Sequence, residues 1–193
     1  MGAERLRQVA VSERVARHAG FWWGLVEGTA FFIVPDVFIT FAALFSLRAG
    51  AIAWGFSILG SIAAILVIYA SGVGLDLDYV GFLDVVPGIS AGMVDRVTSL
   101  LAENGLPYTP LLVLGGVPLK VYGGVAASLG VPLVAVLVWT VFARIVRIAP
   151  TYLLVGGVRL LAGRRIDARP GPWITVFIVC WLAFYVFYFI AME

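Results

Sequence analysis

Five ionisable side chains sit where the sequence is otherwise apolar: Glu27, Asp36, Lys120, Arg144 and Arg147. An ionised residue at the centre of a membrane helix costs roughly 2.5 to 3.5 kcal/mol on insertion scales, so such residues are rare unless a bundle interior or wet cavity receives them. Three bases against two acids leave an excess of positive charge, which suits an anionic guest such as a lipid phosphate. Arg144 and Arg147, three positions apart, share one face of a helix and present forked donors to phosphate oxygens, while Lys120 adds a point charge. Either acid is a candidate proton carrier; its protonation would release an arginine to phosphate, and its deprotonation would re-form the internal pair. Each residue also has a purely structural reading. Glu27 would be a polar tie between helices, Asp36 a helix cap, and Lys120, Arg144 and Arg147 side chains snorkelling to the membrane surfaces.

Two interrupted segments must position these groups. The apolar stretch 21–46 carries Glu27, Pro35 and Asp36, and Pro35 both removes a backbone donor and disfavours helix at Val34. Broken backbone survives in lipid only where protein buries it or a cavity receives it. The sequence therefore predicts a re-entrant hairpin over 22–46, two half-helices meeting at 34–36 with both acids aimed inward. A second re-entrant segment is expected over 106–124, where Pro107, Pro110, Gly115, Gly116, Pro118, Gly123 and Gly124 interrupt an apolar run ending near Lys120. Pro35 and Pro118, like Ser46-Leu47 and Ser128-Leu129, recur about 82 to 83 positions apart. Pro35, Pro118, Gly115 and Gly116 are read as the hairpin-forming residues. Two such hairpins entering from opposite sides form an inverted repeat, which places a transported substrate near the bilayer midplane.

The bulk composition agrees with that setting. At 62% hydrophobic and 12% charged residues over 193 positions, the chain is too apolar for a soluble domain of its size. The expected fold is an all-α integral membrane protein with one membrane domain, two re-entrant broken-helix hairpins and about three full transmembrane helices, plus interfacial amphipathic helices. In order, these are a basic interfacial segment at 1–20, with no signal-peptide pattern, and a membrane core at 21–169. The core holds the hairpin 22–46, a crossing at 51–71, an external amphipathic helix at 88–104, the hairpin 106–124 and a crossing at 126–163 kinked by Pro150. A C-terminal crossing at 173–192 follows. Met93, Val97, Leu100 and Leu101 share a face, which predicts that the 88–104 helix lies on the membrane. Tyr122, Tyr152 and the aromatics of 173–189 read as lipid-facing or belt residues.

Basic clusters at 1–20 and 159–169, set against the acidic stretch 72–104, place the N-terminus on the cytoplasmic side. His18 reads as solvated surface, since a single histidine without further ligands makes no metal site. Cys180 has no internal disulfide partner. The sequence carries no activated nucleophile, metal cluster or nucleotide loop, so no enzyme, cofactor or metal is expected. Its arginines form no single exposed face, so no nucleic acid is expected either.

The blocks Glu27-Gly28, Val34-Pro35-Asp36-Val37, Leu59-Gly60-Ser61, Tyr69-Ala70-Ser71-Gly72, Val117-Pro118-Leu119-Lys120-Val121-Tyr122 and Ala143-Arg144-Ile145-Val146-Arg147 follow one another in a familiar order. Over roughly residues 21–163 the chain resembles the DedA superfamily of small membrane proteins (the SNARE-associated or VTT-domain family), and most closely its YqaA-like branch. The resemblance implies lipid translocation: flipping of polyprenyl phosphate or phospholipid coupled to the proton gradient in bacterial members, scrambling in eukaryotic relatives. It also implies Glu27 and Asp36 as embedded acids and Arg144 and Arg147 as matching bases. The chain departs from the better-known DedA branch in having Gly115 and Gly116 before Pro118 and Lys120 as the only base there, so that branch's lipid selectivity is not carried over.

The expected function is thus a flippase or scramblase of a phosphate-bearing lipid, linked to protons. It would act in a prokaryotic inner membrane, as a monomer or homodimer. A proton-coupled small-ion or solute transporter, or a structural membrane protein, are the alternatives.

Overall fold

The computed structural model describes residues 2–30, 33–71, 78–83, 85–108 and 116–192, and every regular element among them is a helix. The helices are α1 (Ala3–Val11), α2 (Glu13–Thr29), α3 (Asp36–Phe45), α4 (Leu47–Tyr69), α5 (Tyr79–Leu83), α6 (Ala91–Asn104), α7 (Leu119–Ser128), α8 (Leu133–Ala168) and α9 (Pro170–Met192). Three of them, α4, α8 and α9, are long and apolar enough to cross a membrane. The chain has the character of a membrane protein.

Proline sets where the short helices begin. Pro35 and Pro118 stand immediately before α3 and α7, each ten residues long. Proline lacks the donor that a helix interior needs but suits the first turn, where that donor has no intrahelical partner. Gly116, just upstream of Pro118, has φ of 84°, a left-handed conformation that glycine adopts without strain. Gly115 lies outside the described residues. α7 ends at Leu129 and Gly130: Gly130 takes φ of 68°, and the Val131 amide turns back to the Ala126 carbonyl at 2.9 Å, satisfying an end carbonyl of the helix.

Contacts group the chain into two compact units, one of Met1–Gly20, Pro35–Phe56 and Pro150–Glu193, the other of Phe21–Val34 and Ser57–Ala149. In the first, Ala10, Leu44, Phe45, Ile166 and Ile174 make a core. A sharp corner at Ser46 joins α3 to α4; its hydroxyl accepts from the Ala49 amide at 3.2 Å, and Gly50 lies so close to Ala43 that a β-carbon there would clash. In the second unit, Ile65, Ile68, Leu83, Val97, Val121, Val125 and Trp139 are buried together. Here α2 lies on α4 through small residues: Gly24 abuts the Ser57 backbone, Gly28 meets Ala64, and Gly60 abuts the Phe21 carbonyl. The contacts advance together along both helices, so these stretches run in the same direction. Glycines let two backbones approach in this way because they carry no side chain.

Several expected boundaries and faces differ. The basic N-terminal segment is no separate element ending at residue 20, because α2 begins at Glu13 and continues through Gly20, which packs on Ala53. The crossing expected from 51 begins at Leu47, and the one expected from 173 begins at Pro170. The division of 106–124 from 126–163 also moves. Gly123 and Gly124 are helical, making room for Ile65, Ile68 and Tyr79, and the break falls at Gly130 and Pro132. α8 then runs 36 residues, about 54 Å, longer than the roughly 30 Å hydrocarbon core, with Pro150 inside it.

The amphipathic helix α6 does not offer its apolar face to lipid. Ser90 caps it, accepting from the Met93 amide, and Met93, Val94, Val97 and Leu101 are buried in the second unit's core. Tyr122, expected at lipid, is buried with its ring 4.7 Å from that of Trp139. Residues 109–115 of the segment expected to form a second hairpin, Asp76 and Asp84 lie outside the described residues.

Candidate functional site

The second unit brings four of the five charged residues into one electrostatic group. Glu27, two residues before the end of α2, is 2% exposed, and Arg144, a third of the way along α8, is 1% exposed. Arg144 Nη2 donates to Glu27 Oε2 in a buried ion pair. Its Nε donates to Ser61 Oγ at 2.8 Å, and the Ser61 hydroxyl in turn donates to the Ser57 carbonyl at 2.9 Å. Thus α2, α4 and α8 meet through one guanidinium. Lys120, in the first turn of α7, is 1% exposed, and Arg147 is half-buried. The positive charges acting on Glu27 are those of Arg144, Lys120 and Arg147. Glu27 thus lies under the influence of three bases in a poorly hydrated setting, where Coulomb interactions are strongest. Arg144 Nη1 is buried and has no hydrogen-bond acceptor among the described residues.

Local packing makes this possible. Gly28, beside Glu27, lets α2 approach Ala64 of α4 closely, on the same stretch of α4 that carries Ser61. Two hydrogen bonds hold the end of α2 and the chain beyond it: Tyr79 donates its hydroxyl to the Thr29 carbonyl at 2.6 Å, and Trp23 Nε1 donates to the Ile33 carbonyl at 2.9 Å. Burial, with a smaller contribution from the Glu27 charge, pushes the Tyr79 hydroxyl pKa up, so it remains a donor at all ordinary pH values.

Asp36 is the fifth of these charged residues. It belongs to the first unit, is 3% exposed, and opens α3, where a helix N-terminus favours negative charge. Its Oδ1 accepts from the Thr151 hydroxyl at 2.9 Å, tying α3 to α8 just beyond Pro150. Its backbone carbonyl accepts from the Thr40 hydroxyl. Pro35 and Pro118 hold the starts of α3 and α7, as described above.

Ser61 is the member of the site that sequence reasoning did not single out as a ligand. A hydroxyl in an apolar helix reads first as a small packing residue, and nothing local reveals that an arginine 83 positions later reaches it. Tyr79 and Trp139 were likewise invisible as anchors; Trp139 Nε1 donates to the Pro107 carbonyl at 2.8 Å from a fully buried position. No family model, curated protein or solved structure matches the chain.

Proposed function

We propose that the protein is a membrane transporter, a flippase or scramblase, of a phosphate-bearing lipid such as polyprenyl phosphate or phospholipid. Glu27, Lys120, Arg144 and Arg147 would form its charged site, with Asp36 positioning α3. The observation that carries this reading is the buried Arg144: one face of its guanidinium is engaged by Glu27 and Ser61, while Nη1 retains an unused donor and two further cations lie close by. A phosphate has several acceptor oxygens and a negative charge suited to arginine and lysine donors. Protonation of Glu27, or competition by the phosphate itself, would open the ion pair and hand Arg144 to the guest. Reversal would expel it.

The resemblance to the DedA superfamily supports the same reading, with a proton-linked cycle in a prokaryotic inner membrane and a cytoplasmic N-terminus. The re-entrant inverted repeat is part of the proposal. Two features favour it: the matching ten-residue helices after Pro35 and Pro118, and the bond between Arg144 and Ser61, residues separated by the same 83 positions as the two prolines. Residues near the pseudo-two-fold axis of an inverted repeat meet their own counterparts, and Ser61 and Arg144 are counterparts at this offset.

A structural role is favoured by one observation, the near-total burial of the Glu27–Arg144 ion pair. The charge-swapped variant Glu27→Arg with Arg144→Glu separates the two: a fold lock tolerates the exchange, whereas a phosphate site loses its oriented donor. Exchange of labelled polyprenyl phosphate and phospholipid between the leaflets of liposomes containing the purified protein, with and without a pH gradient, tests transport itself. Activity toward small ions without lipid exchange would instead identify a solute transporter.

A further inference from the structure

The first unit contains a cleft of about 860 Å³ where the corner between α3 and α4 faces the last third of α8, lined by Phe45, Ser46 and Leu47 on one side and by residues 159–165 and Asp167 on the other. Its volume lies within the range of sites that hold small molecules and headgroups. We propose that this cleft binds an anionic phospholipid at the membrane surface, as a site separate from the Glu27–Arg144 group and independent of the transport reading.

The charge arrangement argues for an anion. Arg159, Arg164, Arg165 and Asp167 all line the cleft. Asp167 is already engaged: Arg159 donates to it through both terminal nitrogens at 2.9 and 3.0 Å, and Arg7 approaches at 3.3 Å. The pairing neutralises Asp167 and fixes the Arg159 side chain across the cleft wall. Arg164 and Arg165 are exposed and make no ion pair among the described residues. Two forked cations therefore line the cleft with no counter-ion among the described residues, a combination suited to phosphate oxygens.

The apolar arrangement argues that the anion is a lipid headgroup rather than a free phosphate. Leu160 and Leu161 are 75% and 92% exposed, and Leu153 and Leu154, two helical turns earlier, are similarly bare. The seven-residue interval puts these pairs on one face of α8. Arg164 and Arg165 follow at three and four positions from Leu161, directly below the same stripe. A bare leucine stripe that ends in two arginines marks the boundary between acyl chains and headgroups, and the cleft opens at that boundary. A water-soluble phosphate would have no use for the leucines.

Binding is measured with the full-length protein in detergent micelles by native mass spectrometry, titrating dioleoyl phosphatidylglycerol, dioleoyl phosphatidylcholine and inorganic phosphate separately. The expected result is a retained phosphatidylglycerol adduct at least about tenfold tighter than that of phosphatidylcholine. The double variant Arg164→Gln with Arg165→Gln should lose that preference, while Arg164→Lys with Arg165→Lys keeps part of it. Both positions are exposed, and Arg159 is left in place so that Asp167 stays paired. Equal binding of the two lipids, an undiminished preference in the glutamine variant, or displacement of the lipid by millimolar inorganic phosphate would each overturn the proposal.

Discussion

Arg144 holds Glu27 and Ser61 at once, through Nη2 and Nε of a single guanidinium that is almost wholly shielded from solvent. The serine hydroxyl passes the contact on to the Ser57 carbonyl. Removing one partner of a buried ion pair strands the other, at about 3 to 5 kcal/mol, whereas replacing both by apolar groups of similar size is far less damaging. Glu27→Leu and Arg144→Met should each lower the thermal unfolding midpoint strongly, and the double variant should recover much of the loss. Melting of the detergent-solubilised protein checks this; additive losses would show that the two charges do not depend on each other.

The close approach of α2 and α4 rests on glycines that cannot carry a β-carbon. Gly24→Ala drives a methyl into the Ser57 backbone, and Gly60→Ala into the Phe21 carbonyl. Each should cost about 1 to 3 kcal/mol, since neither obstruction is the end of a flexible side chain. Gly55 lies in α4 with open space around its would-be β-carbon, so Gly55→Ala should be neutral or stabilising by up to about 1 kcal/mol. Comparing the three by thermal shift distinguishes packing from a general intolerance of α4 to substitution.

Trp139 combines ring packing on Tyr122 with a hydrogen bond to the Pro107 carbonyl. Trp139→Phe keeps most of the apolar contact but leaves that carbonyl without its donor, which should cost about 1 to 3 kcal/mol. Trp139→Ala should cost about 3 to 5 kcal/mol by opening a cavity in the second unit's core. A smaller difference between the two variants in melting temperature than between either and wild type would mean that the hydrogen bond dominates.

Asp167 links α8 to the N-terminal helix through Arg7 and to its own helix through Arg159. Because these groups are partly exposed, the pairs are worth little each, about 0 to 1 kcal/mol. Asp167→Asn should therefore leave global stability almost unchanged but raise hydrogen exchange in α1, an effect that salt reproduces in the wild type by screening. Unchanged exchange in α1 would show that its apolar contacts alone hold it.

How much of this was legible beforehand depended on whether the signal was local. Pro35 and Pro118 announce breaks that any chain must make, and α3 and α7 do begin there. The apolar runs of α4, α8 and α9 are equally plain. The face of α6 was legible, since Met93, Val97 and Leu101 are together, but what covers it was not: the same stripe suits lipid or a protein core, and α7 covers it. Gly123 and Gly124 read as breakers, yet they are helical because Ile65, Ile68 and Tyr79 need the space. In the site, the charges of Glu27 and Arg144 were conspicuous, being costly in an apolar run. Their pairing across 117 positions, and the capture of Ser61, arise from tertiary packing that no local pattern encodes. That Asp36, similar in sequence context to Glu27, would accept from Thr151 was equally hidden, the two lying 115 positions apart.

The central claim is that the Arg144 group handles a lipid phosphate, and leaflet exchange in liposomes tests it most directly. Labelled polyprenyl phosphate and phosphatidylglycerol are followed in vesicles containing wild type, Glu27→Gln, Lys120→Gln or Arg144→Lys, with folding of each variant verified by its melting curve. The account predicts exchange by wild type of at least one of the two lipids, a loss of about a hundredfold in folded Arg144→Lys, where the fork is gone but the charge remains, and a clear loss in Lys120→Gln. Wild-type rates in folded Arg144→Lys and Lys120→Gln, or no exchange of either lipid by folded wild-type protein, would contradict it.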